Sequence, residues 1–288
     1  MVELFKDLSG DQANAYGLVL SASGISHRVK KGERGWDIWV HDSTYEKALN
    51  TIRQYLDEEQ DLHTTDEPIY YKYPRTLTGL WVAAILLACH VAATFGHGHP
   101  AFVKAYGSSA FHIVHGQWYR AVTSLMIHAN TLHLAGNMVG IALFGTAVCT
   151  IMGRGVGWLM ILVTGIVGNL VNAFLYRAGH LSVGASTAVF GAIGILAAHQ
   201  FSKKFRLRGQ GMKAWLPLAG GVALLGMLSS GEHVDLTAHL FGFVAGMILG
   251  ALHAVFLRTP APKAYQACCL LIALSVLVVS WMKAFGHG

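Results

Sequence analysis

The sequence predicts a polytopic α-helical membrane protein of seven spans, with a small N-terminal α/β domain on the cytoplasmic side. Three observations carry this. Of 288 residues, 53% are hydrophobic and only 12% charged, about half the charged share of an average soluble domain. The charge is concentrated in the first 75 residues, and the rest of the chain comes in long apolar runs. Seven of these runs, at about 78–96, 131–153, 156–176, 184–201, 214–230, 236–257 and 264–284, approach the ~20 residues that a helix needs to cross a bilayer core.

The N-terminal domain is placed at residues 1–62. A helix runs from near Asp11 through Ala22, and Gly24 sits where a C′ glycine would end it. Ile25–Lys30 and Trp36–His41 read as two strands joined through the turn-rich Gly32-Glu33-Arg34-Gly35. Asp42 and Ser43 cap a second helix, Tyr45 to about Glu58, with Ala48, Leu49, Ile52 and Leu56 on one face. A domain this small buries little surface, so a cytoplasmic partner is expected for it. It holds no catalytic constellation and reads as a regulatory or docking module. Met1–Asp7 lacks a basic segment leading into an apolar core, so no signal peptide is expected. A linker at 63–77 leads to the core at 78–257, and residues 258–288 carry the seventh helix.

Between the first two spans, residues 97–130 are too polar to cross and too apolar for an ordinary loop. Phe102, Phe111, Trp118 and Tyr119 place this segment at the membrane interface. Alternate span ends carry Lys72 and Arg75, Arg154, Lys203 to Lys213, and Arg258 with Lys263, whereas the opposite ends hold fewer, among them Lys104, Arg120 and Arg177. Lysine and arginine mark the cytoplasmic side, so the N-terminus is expected inside and the C-terminus outside. The net charge of +6 is therefore topological, and no nucleic acid is expected. Cys89, Cys149, Cys268 and Cys269 all lie in apolar runs and read as small hydrophobes, not as a disulfide framework or a metal site.

Two polar residues stand out in apolar helices: Ser186, in Gly184-Ala185-Ser186-Thr187-Ala188-Val189-Phe190-Gly191, and His239, in Ala238-His239-Leu240-Phe241-Gly242. An ionisable group inside a membrane span is costly and marks function by default. Both residues fall near the outer start of spans running outside to inside, so they share a depth. A serine hydroxyl needs a base, and neutral histidine suits that task. The resulting oxyanion needs donors. His133 and Asn137 sit at i and i+4 on one face of the second span, at the same depth, and the backbone N–H of Ser186 is a further donor. Gly242, Gly246 and Gly250 form a small-residue stripe that lets two helices approach closely. Alternatively, that stripe is a dimerisation face. Phe190, one turn below Ser186, is placed to orient the His239 ring. Asp235 lies one turn before His239 and nearer water, which favours a Ser–His dyad over a triad.

Trp118-Tyr119-Arg120, His128, His133-Leu134-Ala135-Gly136-Asn137, the Gly184–Gly191 run and Ala238–Gly246 together resemble the rhomboid intramembrane serine proteases, over about residues 78–257. The resemblance implies a multi-pass protein with a rhomboid-like six-helix core and an added seventh C-terminal helix, of a bacterial inner membrane, that cleaves transmembrane protein substrates near the outer face through an acyl-enzyme. It implies Ser186 as nucleophile, His239 as base, and His133 and Asn137 as oxyanion stabilisers, with no cofactor and no metal. Gly184, Phe190, Gly242, Gly246, His128 and Arg120 are supporting residues. Two positions depart from the family pattern. Thr187 stands where glycine is usual and puts a β-branch beside the oxyanion site, and Trp118-Tyr119-Arg120 only partly matches a Trp-Arg pair. Arg120 is expected to fix the loop.

His90, His199 and His253 lack partners at matching depth and read as core residues. His97, His99, His112, His115 and His128 crowd the outer loop but lack the spacing of a zinc site. Two other function classes remain at this stage. One is a catalytically dead relative that binds membrane helices; the other is a histidine-based transporter, for which paired carboxylates and inverted repeats are missing.

Overall fold

The computed structural model describes residues 1–32, 34–65, 76–96, 98–205, 212–228, 235–256 and 261–286. Glu33, Lys72, Arg75, His97, Arg206, Arg208, Arg258 and most of the loop that includes Glu232 lie outside the described residues. The chain forms two compact units, Met1–Tyr70 and Tyr71–Gly288.

The first unit packs two helices on a three-stranded antiparallel sheet of order β1-β3-β2: β1 Val2–Leu8, α1 Gly10–Ala22, β2 His27–Lys31, β3 Trp36–Val40 and α2 Tyr45–Thr65. A capping box starts α1, with Ser9 Oγ accepting from the Gln12 N–H and the Gln12 side chain reaching back to the Ser9 N–H. Leu4, Leu20, Ile38, Val40 and Ile52 close the core. Sequence periodicity placed two strands here, and β1 makes a third. Register shifts between Glu3 and Phe5, and again between Phe5 and Leu8, break the alternation that marks a strand. Ile25 is buried ahead of β2 rather than inside it, and α2 runs past Glu58 to Thr65.

The second unit begins with α3 Thr78–Gly96. The interfacial segment then folds as α4 His99–Tyr106, β4 Ser108–Ser109, α5 Ala110–Val114 and α6 Arg120–Thr123. Next come α7 Thr131–Gly140, a π turn at Ile141–Gly145, α8 Thr146–Met152, α9 Arg154–Tyr176 and β5 Leu181–Ser182. The remainder is α10 Ser186–Phe205, α11 Leu216–Leu228, α12 Leu236–Phe256 and α13 Lys263–Gly286. Among the described residues, five helical stretches are long and apolar enough to cross a membrane: Thr78–Phe95, Thr131–Met152, Arg154–Tyr176, Leu236–Phe256 and Lys263–Gly286. α10 has suitable length but ends in Lys203 and Lys204, and α11 has 13 residues.

Two features of this unit position the site. The first is the seam between α10 and α12. A Cβ on Gly242 would strike the Thr187 carbonyl, one on Gly246 the Gly191 carbonyl, and one on Gly250 the Ile195 carbonyl. The stripe is therefore buried against α10. Lipid offers no hydrophobic drive between helices, so close backbone packing has to hold them. The second is a two-stranded pairing of β4 with β5, which ties the interfacial segment to the loop entering α10.

Candidate active site

The loop entering α10 is held from several sides. Gly184 N–H donates to the Ser124 carbonyl at 2.9 Å, and Ala185 N–H donates to His128 Nε2 at 3.3 Å. Gly184 has φ +122°, a conformation open to glycine. A Cβ there would lie 2.6 Å from His133 Cε1 and 3.4 Å from Asn137 Nδ2. The His133 ring and the Asn137 amide thus face the backbone just before Ser186. Asn130 caps α7 by accepting the His133 N–H at 2.8 Å, and Asn137 Nδ2 donates to the His133 carbonyl at 2.9 Å. The first intrahelical bond of α10 is Val189 N–H to the Ala185 carbonyl. The N–H of Ser186 therefore has no acceptor within its own helix.

Ser186 Oγ lies 2.7 Å from Nε2 of the buried His239. For the hydroxyl to donate, the imidazole proton must sit on Nδ1. The Phe190 and His239 rings pack at 4.5 Å with a 33° tilt. Ser186 stays partly open while Asn137 and His239 are buried.

Asp235 is committed elsewhere. It accepts from Asn172 Nδ2 at 2.8 Å and from His180 Nε2 at 2.7 Å, and it caps α12 by accepting the Ala238 N–H at 3.0 Å. His180 stacks on Tyr176 at 4.2 Å. This clasp ties the loop before Ser186 to the helix that carries His239. Burial pushes the Asp235 carboxyl up, but the hydrogen bonds from His180, the Ala238 N–H and Ser182 outweigh it and hold the group well below the usual carboxylate range.

His128 is wholly buried, and burial, together with His133 and His90 nearby, pushes it down to about 3. It is therefore neutral and can accept from Ala185. Its carbonyl accepts from His99 Nε2 at 2.7 Å. Arg120, also buried, donates to Gln117 Oε1 and to the carbonyls of Lys104 and Gly107. These three acceptors all lie within the interfacial segment.

Three sequence-based expectations need correction. His199 and His253 are not isolated from each other, since their rings lie 5.5 Å apart. His90 likewise meets His99 at 5.1 Å. The Thr187 β-branch does not crowd the oxyanion side; its Cγ2 fills a notch between Gly168 of α9 and Gly242 of α12. Sequence reasoning missed Asn169, which donates to the Ala121 carbonyl and Ser124 Oγ, and the pairing of Asn172 with His180. Two asparagines three residues apart in an apolar span were the available signal; His180, in a loop, offered none. Among the described residues, no three groups gather to hold a metal.

A family model described as Rhomboid domain matches residues 115–256, the stretch that holds Ser186, His239, His133 and Asn137. The chain belongs to the rhomboid family. This rhomboid is an integral membrane protein. It is 26% identical over 240 residues to the rhomboid protease GluP of Bacillus subtilis (strain 168), covering 81% of this chain and 46% of that one. It is 33% identical over 168 residues to Rhomboid-like protease 3 of Toxoplasma gondii, covering 57% and 63%. It is also 27% identical over 162 residues to Inactive rhomboid protein 2 of Homo sapiens, covering 54% and 18%. This rhomboid thus spans less than two thirds of the length of each of these three relatives.

Proposed function

We propose that this rhomboid is an intramembrane serine endopeptidase that cleaves transmembrane segments of membrane proteins near the outer face. The observation that carries the reading is the 2.7 Å contact between Ser186 Oγ and His239 Nε2. Because a relative named as inactive shares the family, membership alone does not carry activity.

His239 takes the proton as Ser186 Oγ bonds to the scissile carbonyl carbon, and the carbonyl oxygen becomes an oxyanion. His133, the Asn137 amide and the Ser186 N–H stabilise it. His239 then passes its proton to the departing amine as the C–N bond breaks, which leaves an ester on Ser186. Water, deprotonated by His239, releases the acid and restores the hydroxyl. With Asp235 engaged by His180 and Asn172, the chemistry belongs to a Ser–His dyad. Substrates carry helix-weakening residues near the cut, because a helical carbonyl is already hydrogen-bonded and shielded.

The core crosses the membrane six times and α13 a seventh, in a bacterial inner membrane. The N-terminal unit, Met1–Tyr70, lies in the cytoplasm, where it meets a partner, and the C-terminus lies outside. The lysine and arginine asymmetry supports this orientation.

The test is cleavage of a labelled single-span substrate by purified protein in liposomes, together with fluorophosphonate labelling. Ser186→Ala should abolish both, lowering cleavage by at least ~10³-fold. Equal cleavage by wild type and variant would remove Ser186 from its role. An inert wild type on several helix-destabilised substrates would favour a helix-binding function.

A further inference from the structure

α13 packs on the start of α9, but α3 closes on neither of them. The three enclose a cavity of about 840 Å³ walled by Trp81, Ile85, Trp158, Leu270 and Leu274. Polar groups gather at one end. There Arg154 and Lys263, both exposed, line the mouth. They sit at one level because Gln266, one turn after Lys263, accepts the N–H of Gly155 at 2.7 Å and of Val156 at 3.0 Å and donates to the Met152 carbonyl at 2.9 Å. Among the described residues, neither cation has a carboxylate within ion-pair distance. From Lys263 to Leu277, the last residue of α13 on the wall, the helix rises about 21 Å at ~1.5 Å per residue. That exceeds the ~15 Å of one leaflet's hydrocarbon.

We propose that this cleft binds one anionic glycerophospholipid, with its phosphate between Arg154 and Lys263 and its acyl chains along α13. Charge complementarity selects this occupant. A transmembrane helix brings no charge to the mouth, and a zwitterionic lipid adds a cation beside two others. Basic pockets between membrane helices are recognised anion-headgroup sites. Toward its far end the cleft is lined by Ala185 and Ala188, on either side of Ser186 in sequence, so the occupant supports the loop that enters α10. The proposal does not depend on proteolysis.

The test is native mass spectrometry of the full-length protein released from micelles, with palmitoyl-oleoyl phosphatidylglycerol or the matching phosphatidylcholine added. One phosphatidylglycerol should be retained in preference to phosphatidylcholine. The double variant Arg154→Gln/Lys263→Gln should weaken its retention by about 30-fold, with each cation contributing about equally. Ala267→Trp, which fills the cavity from an exposed position, should abolish retention; thermal unfolding of each variant shows that it is folded. Equal retention of both lipids would overturn the headgroup assignment. No retained lipid, or retention unchanged in Ala267→Trp, would overturn the site.

Discussion

The α10–α12 seam and the attachment of α13 both hold helices together where lipid supplies no drive, and they differ in how far backbone packing extends. Along the seam, backbone lies on backbone, with three glycines of α12 set over carbonyls of α10. At α13 backbone meets backbone at one point, where a Cβ on Gly155 would strike the Gln266 carbonyl; beyond it side chains reach across, with Gln266 capping α9 at one end, Trp281 Nε1 donating to Met126 Sδ and its ring stacking on Phe102 at the other, and a cavity between. Dense packing transmits displacement and tolerates no added volume, so it suits the place where Ser186 Oγ and His239 Nε2 are held 2.7 Å apart. Side-chain tethers leave room for a soft occupant.

The largest expected effect breaks the seam. Gly246→Leu drives a side chain into the Gly191 carbonyl, so it should cost ~3 kcal/mol or more and eliminate cleavage. Gly220→Leu, where a Cβ meets nothing within 4 Å, should be nearly silent. Thermal unfolding and substrate cleavage of the two variants check the contrast.

Next come the polar clasps around the seam, which pH can loosen. Asp235 has a lowered native pKa, so its contribution is present above the unfolded value of ~3.9 and is lost as pH falls through the native one. His128 is also lowered, to about 3. Below ~6.5 the unfolded chain takes up a proton that the native chain refuses, so stability declines as pH drops from ~6.5 toward 3. Asp235→Asn should lower stability at pH 7 by ~1–3 kcal/mol and flatten the acid limb below pH 4. His128→Gln should flatten the limb between pH 6.5 and 4. Unfolding temperatures across pH measure both.

Smaller effects sharpen the comparison at each side. Gln266→Ala strips the bonds at the start of α9 and should cost ~1–2 kcal/mol, with α13 detaching first in hydrogen exchange. Thr187→Gly, the family's usual residue, empties the notch between Gly168 and Gly242. It should cost ~1 kcal/mol while cleavage survives; lost cleavage would return Thr187 to the oxyanion side.

Much of this was legible because single residues carried it. Ser186 and His239 were conspicuous as polar groups in apolar runs, and the spacing of Gly242, Gly246 and Gly250 announced a close helix contact. β1 was hidden, since two register shifts erase its alternation. Asp235 was visible, but its partner was not. Its carboxylate turns to His180 and Asn172, which lie 55 and 63 residues away in sequence. Thr187 was misplaced because a one-letter departure from a motif carries no direction, and the notch that receives its methyl belongs to two other helices.

By itself the sequence determined that this chain enters a membrane and which polar residues in its apolar runs are candidates for chemistry, because hydropathy and periodicity are local properties of a segment. Only the tertiary structure decided that Ser186 and His239 come within hydrogen-bond reach, that Asp235 clasps the loop, and that α3 and α13 stand apart to leave a cleft. Those outcomes depend on which surfaces of distant helices meet, and in lipid that is set by the fit of backbone and side-chain shapes along the whole contact.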